Sequence, residues 1–139
     1  DAEAVRAYEA AAERMDPTVP LLLNLAEALG KTGRYEEMVN TLEAANRIEV
    51  SALTYERIGS ARFRMGDYES ALESFRTSVV VDPQHYPGHN GVAVCLLNRF
   101  LQSDRADREA LQGARDAMRA SLRLNRDQPR VVQLLSRYQ

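Results

Sequence analysis

The sequence predicts an all-α solenoid of stacked helix pairs, and three observations predict it. Leu25-Ala26, Gly33, Tyr35, Met38, Leu42, Ala45 and Ile48 recur 33 residues later as Ile58-Gly59, Gly66, Tyr68, Ala71, Phe75, Ser78 and Val81. Within each copy the apolar residues fall at steps of three and four on either side of a glycine, the period of a helix face. A third, stretched copy follows. A fixed period of this size, with side-chain size kept at each step, marks stacked copies of one supersecondary unit, each unable to bury its apolar stripe alone.

Residues 1–17 are expected to be the second helix of an earlier copy, running from Ala4 to Met15 with Ala4, Tyr8 and Ala11 on its stripe and Asp16-Pro17 after it. Residues 19–51 form the first full copy, with Leu22, Leu25, Ala26 and Leu29 on one helix and Met38, Leu42, Ala45 and Ile48 on the next. Residues 52–85 form the second. Gly33 and Gly66 suit the left-handed conformation that ends a helix without a side-chain clash, and Asp67 is placed to cap the helix that follows. Ala26 and Gly59 fall where antiparallel helices approach closely, and Tyr35 and Tyr68 fill the space beside the turn.

In residues 86–126, His89, Val92-Ala93 and Leu96 follow the first-helix pattern. Ala114, Met118, Ser121 and Leu124 then arrive 43 residues after Ala71, Phe75, Ser78 and Val81, so nine extra residues lie between the helices. Phe100-Leu101 and Ala110-Leu111 extend the two helices by about a turn each, with Gln102 to Asp107 as the loop. Packing of the extensions on each other is favoured over a protruding lip. Residues 128–139 read as the first helix of a further copy, carrying Val131, Leu134, Leu135 and Tyr138. Pro87 and Pro129 stand near helix starts, where a missing N–H is harmless. Half-copies at both ends imply a segment of a longer chain, and they leave terminal helices with which a second copy could pair as a homodimer.

These residues resemble the tetratricopeptide repeat family. Tyr55, Ile58-Gly59, the Gly66-Asp67-Tyr68 turn, Ala71, Phe75 and Asp82-Pro83 carry the resemblance most fully, while the first copy has Leu22 for the aromatic and Val50 in place of the proline. The resemblance implies a right-handed superhelix of about eight helices whose first helices line a concave groove. It therefore implies a non-catalytic scaffold that binds a peptide or partner helix, with a structural spacer or recruitment segment of a larger multidomain enzyme or secretion or assembly protein as the alternative. Transferred residue by residue, the groove lining is Asn24, Glu27 and Lys31 from the first copy and Glu56, Arg57, Ser60, Phe63 and Arg64 from the second. Asn90, Val94 and Asn98 come from the third and Gln133 from the last helix. The amides suit an extended main chain, and Arg57 and Arg64 an acidic group. One branch of the family grips chaperone tails with a two-carboxylate clamp. Here its places hold Leu23, Glu27, Arg57, Pro87 and Gly91, so chaperone-tail specificity is not expected.

Other chemistry is sparse. The net charge is −2, with 9 Lys/Arg against 15 Asp/Glu up to residue 98 and 9 against 5 from residue 99. Arg108, Arg115, Arg119, Arg123 and Arg126 should form a wet, convex face. Without interleaved aromatics or a basic domain charge, a solvated surface outweighs nucleic-acid binding. The one cysteine, Cys95, sits in an apolar run and reads as buried structure. His85 and His89 are separated by Pro87-Gly88 and do not make a helical metal pair. No cofactor, phosphate-binding or nucleophile motif occurs, so no enzyme is expected. No apolar run is long enough for membrane insertion.

Overall fold

A computed structural model describes residues 1–14 and 16–139. Among the described residues eight α-helices follow one another: α1 (Ala2–Arg14), α2 (Val19–Lys31), α3 (Tyr35–Ile48), α4 (Ala52–Arg64), α5 (Tyr68–Val81), α6 (Tyr86–Gln102), α7 (Arg108–Leu124) and α8 (Pro129–Arg137). No strand occurs among the described residues. Met15, the expected end of the first helix, lies outside them. Each helix packs on its sequence neighbour, and α4 also touches α6, which makes the chain an all-α solenoid.

Local chemistry fixes where the helices begin and end. Thr18, Ser51, Asp67 and Asp107 each accept, through a side-chain oxygen, the N–H three residues on, satisfying a donor that the first turn would leave orphaned. Gly33 and Gly66 have φ of 76° and 81°. The N–H of the residue after each glycine closes back on the helix, from Arg34 to the Leu29 carbonyl and from Asp67 to the Arg62 carbonyl, each at 2.9 Å.

The core runs through the stack as successive clusters. Val5, Leu25, Ala28 and Leu29 join α1 to α2; Ala26, Val39, Leu42, Ile58 and Ala61 join α2, α3 and α4. The largest cluster joins α5, α6 and α7, and Val131, Leu134 and Leu135 of α8, with Tyr138 just after it, pack half-buried against it. Phe75 is its pivot. A Cβ on Gly59 would stand 2.8 Å from the Phe75 ring and one on Gly91 only 2.0 Å from it, so both glycines are there to admit the ring. The small-residue position expected at Gly59 is thus explained by contact; the still closer approach at Gly91 is an addition from tertiary structure.

The periodic stripe is buried except at its ends. Ile48, Val81 and Leu124, expected to share the stripe, are exposed because they occupy the last turn, where the chain swings away into the next connection. Tyr68 is also largely exposed, and its ring meets Phe63 edge-on at 5.0 Å between centroids. Helices α6 and α7 have 17 residues each, against 13 and 14 in α4 and α5, and they are joined by residues 103–107. Phe100, Ala110 and Leu111 of the extensions are buried, whereas Leu101 is exposed.

Candidate functional site

The first helices of successive pairs, α2, α4 and α6, frame two clefts. The larger, about 520 Å³, lies between α2 and α4 and contains Glu27, Lys31, Arg57, Ser60 and Arg64, with Tyr35 and Met38 of α3 at its floor. The smaller, about 270 Å³, lies between α4 and α6 and contains Glu56, Ser60, Phe63, Arg64, Asn90 and Val94. Ser60 and Arg64 line both, which makes the clefts one continuous groove across α4.

Three of the expected lining residues stand elsewhere. Asn24 and Gln133 are exposed on α2 and α8 and line neither cleft. Asn98 lines a separate cleft of about 350 Å³ with Gly66, Asp67, Cys95 and Gln102. The reason is helical phase: two steps of four residues from Asn90 advance about 80° beyond whole turns, which carries Asn98 off the groove toward the α4–α5 turn. Sequence reasoning missed Tyr35 and Met38, read as turn filler and core, and also Phe75, Pro87 and Gly91, which complete the smaller cleft. Two glycines within α6, each costing about 1 kcal/mol against alanine in a helix, were the available signal for a close approach there.

Charges in the groove divide into paired and unpaired. Lys31 lies 3.5 Å from Glu27 within α2, and His85 Nε2, at the start of α6, lies 3.3 Å from Glu56 of α4. Arg57 and Arg64 form no ion pair among the described residues, so their guanidinium groups are the free charges of the groove. Phe63, held by Tyr68, gives the smaller cleft an apolar wall. Asn90 is not a free amide: its Nδ2 donates to Gln128 Oε1 at 2.8 Å, and its Oδ1 is buried without a partner among the described residues. Gln128 in turn donates to Ser121 Oγ at 2.9 Å and to the Asn125 carbonyl at 2.8 Å, which ties α8 to α6 and α7.

The remaining reactive groups are used structurally. His89 Nε2 lies 2.9 Å from the Pro83 carbonyl, and no cluster of three or more metal-ligating side chains occurs among the described residues. Burial pushes the Cys95 thiol up to about 11, which leaves almost no thiolate at neutral pH although the side chain borders a cleft. The arginine row on α7 is broken. Arg108, Arg119 and Arg123 are exposed, but Arg115 is half-buried with its Nε donating to the Tyr138 carbonyl at 2.5 Å, and Arg126 lies past the helix end. Among the described residues no helix is long and apolar enough to cross a membrane.

Residues 19–49 and 52–85 match the tetratricopeptide repeat family model. A small glutamine-rich tetratricopeptide repeat-containing protein 2 from Mycosarcoma maydis is 31% identical over 118 residues, which are 82% of this chain and 33% of that protein. The chain thus spans about a third of the length of this curated relative. Among solved structures, a MamA RS-1 ArsTM double mutant superposes with a TM-score of 0.79 at 18% identity, covering 98% of this chain and 72% of the other. The first TPR of Spaghetti (RPAP3), bound to the HSP90 peptide SRMEEVD, superposes with a TM-score of 0.74 at 15% identity, covering 87% and 90%.

Proposed function

We propose that this chain, two of whose helix pairs match the tetratricopeptide repeat family, is a non-catalytic protein-interaction module that holds a peptide or partner helix in the groove of α2, α4 and α6. The observation that carries this reading is the continuity of the two clefts through Ser60 and Arg64, with Arg57 and Arg64 left without carboxylate partners. Arg57 is half-buried and Arg64 exposed, and a guanidinium offers several donors in a fixed fork, which fits a carboxylate of a bound chain. The RPAP3 domain, which shares the fold, is seen with a peptide bound, in keeping with this use of the architecture. The chaperone-tail clamp is not transferred, because Leu23, Glu27, Arg57, Pro87 and Gly91 stand in its places.

The test is affinity capture from a source lysate with the parent chain beside an Arg57→Glu/Arg64→Glu double variant, with circular dichroism confirming equal helicity. Proteins retained by the parent and lost by the variant support the groove. Identical capture by both overturns it in favour of a spacer or recruitment segment within a longer protein. Pairing of two copies through the terminal helices is a separate proposal, supported by the exposed Val132 on α8. Light scattering that stays monomeric across a hundredfold concentration range removes it.

A further inference from the structure

Resting on the groove reading, we infer that the α4–α6 cleft is an apolar side-chain slot, and that the bound segment is an internal acidic and apolar pair rather than a free chain terminus. Near the start of α6 stand Pro87 and Gly91. Both line the smaller cleft with Phe63, Phe75 and Val94. At Gly91 the Phe75 ring occupies the volume a side chain would take, so the slot has an aromatic floor that no other residue at position 91 would leave in place. Its one acid, Glu56, faces His85 at 3.3 Å. What the slot presents to a ligand is therefore mainly apolar surface, with Val94 exposed at its rim.

Charge complementarity names the neighbouring ligand group. Arg57 in the larger cleft, and Arg64 shared by both, are unpaired among the described residues, whereas Glu27 and Glu56 are each held by a cation or histidine. An acidic side chain set against the arginines is the complement, with an aliphatic or aromatic side chain in the slot. The clefts lie on opposite flanks of α4, so their separation is about one helix packing distance, roughly 10 Å. A polyproline II segment rises about 3.1 Å per residue with three residues per turn, so residues i and i+3 span about that distance on one face. The geometry thus fits an acid and an apolar residue three positions apart.

The test is fluorescence anisotropy with synthetic nine-residue peptides, acetylated and amidated to remove terminal charges, in a Ser/Pro background. The parent peptides carry Glu and Leu three apart in either order. Controls replace Leu by Ser, replace Glu by Gln, space the pair by seven in an alanine-rich helical peptide, or leave the C-terminus free. The expected result is at least tenfold tighter binding of one Glu/Leu order than of its Ser and Gln controls. Val94→Asp should erase the Leu/Ser difference and keep the Glu/Gln difference, and Arg57→Gln should do the reverse, with helicity retained in both. Equal binding of the Ser control overturns the slot and leaves the groove reading standing. Tighter binding of the free terminus, or of the helical spacing, overturns the internal extended ligand. No binding by any peptide overturns the slot and the peptide groove together.

Discussion

The regular pair α4–α5 and the stretched pair α6–α7 solve the same packing problem at different lengths. The nine added residues enter as four in α6, three in α7 and two in the turn. Four and three residues are each close to one helical turn of 3.6, so the apolar stripe keeps its phase and the extensions face each other. Phe100, Ala110 and Leu111 accordingly continue the core and do not form a detached lip. The turn pays for its length in backbone strain. Where the regular pair has one glycine, Gly66, in the left-handed region, the stretched pair has Asp104 and Arg105 at φ of 58° and 64°. The Arg105 N–H still reaches back to the Phe100 carbonyl at 3.0 Å, matching the Asp67 to Arg62 bond of the shorter turn. Helical quanta are absorbed readily; extra turn residues without glycine are not.

The largest expected effect is at the aromatic pivots. Phe75→Ala should lower unfolding free energy by about 3–5 kcal/mol, because Gly59 and Gly91 cannot collapse into the hole. Phe100→Ala should cost about 3 kcal/mol by urea denaturation. A loss under about 1 kcal/mol would break the comparison by making the extension an appendage.

Next in size is a pH effect confined to α6. The neutral Cys95 thiol is favoured in the folded state, where burial raises its pKa to about 11 from an ordinary value near 9. Its contribution is fully present below pH 9 and is lost as pH rises toward 11, by about 2–3 kcal/mol at 1.36 kcal/mol per unit. Stability measured in urea from pH 8 to 11 should fall by less in Cys95→Ala than in the parent. Parallel curves would show that the thiol is solvated.

The turns sharpen the contrast at a smaller scale. Gly66→Ala should destabilise by about 1 kcal/mol, since an L side chain resists positive φ, while Arg105→Gly should stabilise by about 0.5–1 kcal/mol in thermal melts. Smallest is Arg108, whose guanidinium carbon lies 5.9 Å from the centre of the Phe100 ring. Arg108→Ala should cost about 0.5 kcal/mol, with Arg108→Lys recovering part of it.

Much of this was legible from the chain alone because repetition supplies its own alignment. Leu42, Ala45, Ile58, Ala71 and Ser78 were placed in the core by period and are buried. The turns at Gly33 and Gly66 followed from the need for positive φ. The groove lining rests on transferring one rule to every first helix: the expected residues from Glu27 through Val94 line the two clefts, Asn98 lines a separate cleft because helical phase drifts, and Asn24 and Gln133 line neither. Asn90 was found in the groove, but its amide was already spent on Gln128, a residue 38 positions away that no local pattern connects to it.

What the sequence by itself determined is the helix count, the pairing order and the core stripe, because each follows from period, turn chemistry and caps within about 34 residues of chain. What only the tertiary structure decided is which charges remain free and where space remains. Those depend on partners brought together from different helices and connections: Glu56 is matched by His85, Arg62 donates to Ser74 Oγ at 2.8 Å and meets Glu43 at 3.4 Å, and Arg57 and Arg64 are left unmatched among the described residues. The slot beneath Gly91 exists because Phe75 reaches it from another helix. Period can announce a small residue, but only the packed neighbours say what fills its place.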